Sequence, residues 1–381
     1  MNPEGSCTES PIRVFVHLAR GYGSREWERR WNEGKVIGVN EPLPYGYFRA
    51  AEFDCLVEYS QDAVESIFGK LLRLGMRTIL GFDLVHAWRN YGKISEADVV
   101  WTHTESQYLA ILLLFRLMPI ERKPKIIAQT IWLFDRWKRF GALKKWLIHG
   151  LAAQADIITV HSPENLKVAC ELFPQNRSEL VLFGISAEEK KKPDPRPNCQ
   201  PLHLISLGND EHRDWNCLVE ATLGQDQWML KIASSSVGQR LVSKATNVEV
   251  VKLKSNDELL ALYDWADILV VSLKPNLHAS GTTVIQEAAL RGVPVICSDA
   301  GGLRAYFSDR EVCFVPAQDK AALRQAIEEL AADRERRLDL AECAQARMGL
   351  EGLSSRAYAR RHAQISRELL SATVRACGRD R

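Results

Sequence analysis

The chain contains no Asp-x-Asp pair and no Gly-x-x-x-x-Gly-Lys-[Ser/Thr] loop. The first absence leaves no acidic pair to hold a divalent cation against a diphosphate. The second removes the phosphate loop of P-loop nucleotide hydrolases. No two cysteines stand as Cys-x-x-Cys, and the nine are an odd number scattered from Cys7 to Cys377. Several lie in apolar runs such as Val295-Ile296-Cys297, so they read as small buried hydrophobes of a reducing compartment, with neither a zinc site nor a disulfide framework. An excess of one charge is missing too: 50 basic against 48 acidic residues leave a formal +2. That balance implies no polyanion as a global partner, and no nucleic acid. The apolar run Tyr108–Phe115 falls well short of the roughly 18–20 residues that cross a bilayer. The opening "MNPEGSCTESPIRVFV" has no basic stretch leading into an apolar one, so no signal peptide is expected. The expectation is a cytoplasmic chain, able to lie on the inner face of a membrane but not to span it.

What is present is alternation. β-branched runs separated by helix-length patterns occur at Ile12–Leu18, Cys55–Tyr59, Asp83–Trp88, Asp98–His103, Lys125–Thr130, Asp156–His161 and Glu179–Phe183. The stretch "SAEEKKKPDPRPNCQP", Ser186–Pro201, is charged, proline-rich and poor in apolar residues, as a linker is. Alternation resumes at Leu202–Gly208, Trp228–Ser234, Val248–Leu253, Asp267–Leu273, Val293–Ser298 and Glu311–Pro316, and the pattern is helical from Ala321 onward. This predicts an α/β protein with two doubly wound parallel domains. The first covers residues 1–185, the linker 186–201 and the second domain 202–349, with helices over about 350–381 packing back on the first. Such sheets bind ligands beyond the carboxyl ends of their strands, here in the cleft between the domains.

Three segments carry candidate chemistry. In "HASGTTVIQEAALRGVPV" (His278–Val295), Ser280 can cap a helix and Gly281 lets a ligand approach the backbone. The amides of Thr282 and Thr283 then face outward at the positive end of the helix, where a phosphate binds. Glu287, four residues after Thr283, lies one turn below on the same face, placed for a ribose diol. In "LISLGNDEHRDW" (Leu204–Trp215), Gly208 ends a strand and Arg213 follows, a guanidinium suited to bidentate phosphate binding, with His212 as a weaker companion. The loop "HLARGYGSREW" (His17–Trp27) carries Gly21 and Gly23 between Arg20 and Arg25.

The segment His278–Phe307 resembles the donor-binding signature of retaining glycosyltransferases of family 4, which have the GT-B fold. That signature is Glu, seven residues, Glu, then Ala and a Gly-x-Pro-Val strand. Glu287 matches the second glutamate; Ala279 occupies the position of the first, which in the family touches the donor sugar. The resemblance implies two Rossmann-like domains facing across a cleft, and sugar transfer from a nucleotide-diphosphate donor to a hydroxyl with retention. Attack comes from the front face, assisted by the leaving diphosphate. It further implies that Gly21 and Gly23 face the diphosphate across the cleft. Family members usually carry Gly-Arg and a later Lys where this chain has Gly208-Asn209 and Arg213. Helix dipole and basic side chains replace a metal in such enzymes, so no metal or other cofactor is expected.

The acceptor side falls to the first domain. His103, Glu105 and Asp135 follow strand ends and are candidates for the general base or for orienting the acceptor hydroxyl. "NEPLPYGYFRA" (Asn40–Ala51) is a candidate acceptor loop. Over Trp132–Gly150 five basic residues (Arg136, Lys138, Arg139, Lys144, Lys145) interleave with Trp132, Trp137, Phe140 and Trp146. That composition suits a helix lying on an anionic membrane and favours an acceptor glycan that is lipid-linked or held at a membrane surface, as in polysaccharide or cell-envelope assembly. A soluble small-molecule acceptor stays open, and so does a non-catalytic nucleotide-sugar binding protein, because of Ala279.

Overall fold

The computed structural model of the protein describes residues 10–379, apart from Pro119, Asn198, Cys199, Lys244, Leu350 and Glu351, and beyond Ala372 only the backbone. Cys7, Cys199 and the Cys377 side chain therefore lie outside what is described.

The first sheet comprises β1 (Ile12–His17), β2 (Cys55–Tyr59), β3 (Val99–Thr102), β4 (Lys125–Thr130), β5 (Ile157–Val160) and β6 (Arg177–Leu180). Its strand order is β2-β1-β3-β4-β5-β6, and every pairing is parallel. The second comprises β7 (Leu202–Leu207), β8 (Trp228–Ala233), β9 (Val248–Val251), β10 (Ile268–Val271), β11 (Val295–Asp299) and β12 (Cys313–Pro316), ordered β12-β11-β10-β7-β8-β9 and again all parallel. The runs VVWT, IITV and ILVV of β3, β5 and β10 are buried at every residue. Strands apolar on both faces belong in a parallel sheet covered by helices on each side. An aspartate just before each of these strands ties a neighbouring strand. Asp98 accepts from the Arg13 amide at 3.0 Å, Asp156 from Ile126 at 2.9 Å and Asp267 from His203 at 2.7 Å.

One expected strand is a helix. Asp83 Oδ1 accepts the His86 N–H at 3.0 Å and starts a helix over Leu84–Arg89, with Leu84, Val85 and Ala87 buried. An apolar run of six suits either element, and the aspartate cap decides.

The charged segment 186–201 is pinned along the second domain. The Lys191 N–H donates to the Leu290 carbonyl at 2.8 Å, and the Arg196 guanidinium grips Asp267, with Nε at 2.7 Å. The closing helix, Ser355–Arg379, crosses back to the first domain. Its Ser366 hydroxyl accepts from Trp101 Nε1 at 2.9 Å, and the Tyr358 and Tyr47 hydroxyls lie 3.1 Å apart. In the second sheet the chain leaves β7 one way to β8 and returns on its other side as β10. The crevice at such a reversal is where doubly wound folds hold their ligands.

Candidate donor site in the interdomain cleft

The loops after β7 and β10 meet at that reversal. After β10 the backbone twists twice into the left-handed region, at Ala279 (φ 52°) and Gly281 (φ 91°). Gly281, not Ser280, is the N-cap of the Thr282–Leu290 helix. The Ser280 and Thr282 hydroxyls are buried with no hydrogen-bond partner among the described residues. The Thr282 N–H is engaged at 3.3 Å by the Ala279 carbonyl. The expectation of a free Thr282 amide thus gives way to free hydroxyls, because the tight turn closes its own hydrogen bond.

Arg213 faces this helix start. Its side chain lies between two glycines: a Cβ at Gly208 would stand 2.6 Å from Nε, and one at Gly281 3.0 Å from Nη1. The residue is 4% exposed, and its Nε and Nη1 have no partner among the described residues. Neither aspartate beside it in sequence neutralises it. Asp214 caps the next helix by accepting the Cys217 N–H at 3.1 Å, and Asp210 faces histidines. Burial lowers the proton affinity of the guanidinium. A buried cation with unpaired donors is costly unless an anion completes it.

One helical turn deeper, Glu287 is 5% exposed. Its Oε1 accepts the Val39 N–H at 2.9 Å and its Oε2 the Tyr263 hydroxyl at 2.9 Å. Burial raises its pKa, against those two bonds. With Gly208, Asn209, Ser234, Ser235, Thr283 and the Val251–Leu253 segment it lines a cavity of about 530 Å³, which Ile37 and Gly38 of the first domain cover. Asn209 Oδ1 is already taken up by Ser234 and Ser235, at 2.7–3.0 Å.

Gly21 and Gly23 do not reach this site. Gly21 is tied to Asp62 (N to Oδ2, 3.0 Å), and Gly23 caps the Ser24–Asn32 helix against the Ser60 carbonyl. That helix consumes the loop at once. The chain meets the second domain only afterwards, through Gly34, which accepts the Asn256 N–H at 2.9 Å, and Gly38, whose N–H donates to Asn256 Oδ1 at 3.1 Å.

Arg213, Ser280, Gly281, Thr282 and Thr283 line a second cavity of about 300 Å³, closed from the first domain by Tyr45, His103, Trp132 and His161. A third, of about 580 Å³, lies within the first domain and is lined by Glu105, Arg136, Arg77 and Lys144. Tyr45, His103 and Trp132 border both of these, so they form the wall between them. Tyr45, in a left-handed conformation, stacks on His103 with ring centroids 3.7 Å apart. His103 Nδ1 lies 3.0 Å from the Tyr47 hydroxyl, and burial holds its pKa down at about 3. Glu105 accepts the Ile131 and Trp132 N–H groups at 3.2 and 3.3 Å; burial raises its pKa. The Trp132–Gly150 segment is not one helix. It breaks into short turns over Leu133–Arg139 and a helix at Ala142–Ala152, and Arg136 and Arg139 reach Glu211 at 3.6 and 2.9 Å.

Asp135 does not face the first-domain cavity. Its Oδ1 accepts the Leu277 N–H at 2.8 Å and its Oδ2 meets His278 Nδ1 at 2.7 Å, while His278 Nε2 meets Asp210 at 3.0 Å. A first-domain carboxylate therefore orients the loop that carries Ala279–Gly281. Burial opposes charge on His278, but the two carboxylates outweigh it and raise its pKa to about 9. Since that exceeds the ordinary value of about 6.5, the added stability is full below about pH 6.5 and is lost as pH rises through about 9. The stability advantage of the wild type over His278→Gln should shrink across that window, by an amount on the order of 3 kcal/mol. A difference in unfolding free energy that stays flat with pH would refute this. Asp210, His212 and His278 also form a cluster of metal-ligand type among the described residues. Both ring nitrogens of His278 are engaged by carboxylates, Nδ1 by Asp135 and Nε2 by Asp210.

The fold defines the class: two parallel six-stranded domains facing each other across a cleft, the GT-B architecture. Residues 240–347 match the family described as glycosyl transferases group 1. The structure resembles sucrose-phosphate synthase from Thermosynechococcus elongatus (TM-score 0.70, 15% identity, 94% of this chain and 100% of that one). It also resembles Anabaena HepE in complex with UDP-glucose (TM-score 0.64, 14% identity, 95% and 100%). No curated protein matches the chain. The chain thus has the GT-B fold, and the part of its second domain that spans residues 240–347 matches the group 1 glycosyl transferases.

Sequence reasoning overlooked Val39, Tyr263, His278 and Asp210 as site residues. Only the Asp210–His212 pair, two residues apart, has a local signal; the others meet their partners across long separations.

Proposed function

We propose that the enzyme moves a sugar from a nucleoside-diphosphate donor to a hydroxyl of an acceptor entering from the first domain. The observation that carries this is the buried Arg213 guanidinium, whose Nε and Nη1 lack partners among the described residues, as do the nearby Ser280 and Thr282 hydroxyls. A diphosphate supplies the acceptors those groups lack, with the ribose toward Glu287 and the base toward Val251–Leu253. The HepE complex supports UDP-glucose as the first donor to test. The acceptor oxygen bonds to the anomeric carbon on the face that the diphosphate leaves. The glycosidic C–O bond to phosphate breaks, and the hydroxyl proton passes to the departing phosphate oxygen. Arg213 stabilises the charge that develops there. His103, with its low pKa, is a poor base and orients the acceptor; Glu105 shapes the 131–132 turn.

The first-domain cavity with Arg77, Arg136 and Lys144 on its wall suits an acceptor bearing phosphate, as lipid-linked glycans do. A soluble acceptor is the alternative, distinguished by competition between lipid-linked and water-soluble acceptors in a transfer assay. Ala279 in place of a carboxylate favours a second reading, a nucleotide-sugar binder without turnover. Incubation with a panel of nucleotide sugars decides: release of free nucleoside diphosphate supports transfer or hydrolysis, while donor binding without release supports the binder. Activity should persist in EDTA, since the helix start and Arg213 can neutralise the diphosphate. Complete loss with rescue by magnesium or manganese would refute metal independence.

A further inference from the structure

The helix Ile67–Leu80 is built inside out. Ile67, Phe68, Leu71 and Leu72 are exposed by 84, 82, 62 and 55%, and Ile79 by 84%. Positions 67, 71 and 74, with 68, 72 and 79, follow the three-and-four spacing of one helix face. Its one fully buried side chain is the Arg73 guanidinium, held by Glu65 at 2.8 Å and Asp83 at 2.9 Å. A soluble helix turns its apolar stripe to the core and its charges to water; this one is held by the Arg73 ion pairs and by the partly buried Met76 and Leu80, and shows most of its apolar residues outward. A contiguous exposed apolar face of this kind marks an interaction surface.

Its surroundings name the occupant. The helix has no acidic residue, and Lys70 and Arg77 have no carboxylate at ion-pair distance among the described residues. The neighbouring helix Ala142–Ala152 is likewise free of acids and exposes Leu143 (78%) and Trp146 (69%) beside Lys144 and Lys145. The two helices meet where Lys144 Nζ comes within 3.1 Å of the place a Cβ at Gly81 would take. Both contribute to the wall of the first-domain cavity, through Arg77 and Leu80 on one side and Lys144 and Ile148 on the other.

We propose that these two helices form a docking surface for an anionic phospholipid bilayer, with Ile67, Phe68, Leu71, Leu72, Leu143 and Trp146 inserted among the acyl chains. The basic residues face headgroup phosphates. The rim of the first-domain cavity then rests on the membrane, and a lipid-linked acceptor reaches it without leaving the bilayer. The surface itself does not depend on the glycosyl-transfer reading; only this consequence for the acceptor does.

Flotation of the full chain with vesicles tests it. The wild type should float with phosphatidylcholine vesicles containing phosphatidylglycerol, and markedly less with phosphatidylcholine alone. Leu71→Asp with Leu72→Asp should reduce the partition by about 100-fold or more, since each buried leucine contributes at least about one order of magnitude. Both positions are exposed, so thermal melting and donor affinity should stay at wild-type values. Lys70→Gln with Lys145→Gln should lower the salt concentration at which flotation is lost. A wild type that stays unfloated with anionic vesicles at low salt overturns the proposal, as does a double-aspartate variant that floats normally. A wild-type dimer in sedimentation equilibrium that the aspartates dissociate, without flotation, assigns the face to a second copy and also overturns it. Failure of the donor reading would appear separately, as absent nucleotide-sugar binding in the wild type.

Discussion

Arg213→Met is expected to lower kcat/KM by about 10²–10³, the scale for removing one donor aimed at developing negative charge. The same substitution should leave the unliganded protein as stable as the wild type, or more so. A guanidinium that is 4% exposed, with Nε and Nη1 unpaired among the described residues, bears a desolvation cost that the charges near it only partly offset. Methionine fills the slot between Gly208 and Gly281 with comparable apolar volume and no charge, and such replacements are often neutral or stabilising. The opposite signs make the test specific. Thermal melts with and without a nucleoside diphosphate should show a ligand-induced rise in the wild type that is largely lost in the variant. Nucleoside monophosphate binding should suffer less than turnover, because the interaction grows as the diphosphate departs. A variant that is less active and also much less stable would assign Arg213 to the architecture of the loop instead.

Glu287→Ala is expected to weaken nucleotide-sugar binding by about 1.5–3 kcal/mol, the range for a charge-assisted hydrogen bond, which is roughly 10- to 150-fold in Kd. The sequence suggests a carboxylate on a cleft wall whose loss spares the fold. The structure predicts more. Glu287 accepts from the Val39 amide of the first domain and from the buried Tyr263 hydroxyl. Truncation strands both donors, at about 1–3 kcal/mol each, so stability should fall along with affinity. Tyr263→Phe separates the two effects. It removes one of the stranded donors and keeps the carboxylate, so it should cost about 1 kcal/mol of stability while leaving most of the donor affinity. Calorimetry with the donor and denaturant titration of both variants distinguish these outcomes. Unchanged donor affinity in Glu287→Ala would remove the ribose from this position.

Much of the fold was legible because its signals are local. Apolar β-branched runs of four to six residues mark eleven of the strands within a residue or two of their ends, and the proline-rich charged stretch marks the passage between domains. The start of the Thr282–Leu290 helix was legible to within one residue, since the sequence puts its cap at Ser280 and the cap is Gly281. Asp83–Trp88 misled because a six-residue apolar run carries no usable period, and its aspartate cap was the deciding feature.

The site is a different matter, since its residues meet across the chain. Val39 and Glu287 are 248 positions apart, and Asp135 and Leu277 are 142. No period or spacing encodes such contacts. They depend on how two separately wound sheets close on each other and on which loops are long enough to cross the gap. The glycine pair after β1 looked like the cleft loop, but the helix beginning at Ser24 takes up the chain first, and the Gly34–Val39 stretch makes the crossing. By itself the sequence determined two doubly wound domains and a helix beginning close to Ser280, with Arg213 and Glu287 as candidates for one site. Tertiary structure alone decided that Arg213 is buried with no ion-pair partner among the described residues, that Asp135 holds the loop carrying Ala279–Gly281 through Leu277 and His278, and that the Ile67–Leu80 helix turns its leucines outward. Burial and ion pairing are set by what lies opposite a side chain in space, and that is a property of the assembled fold.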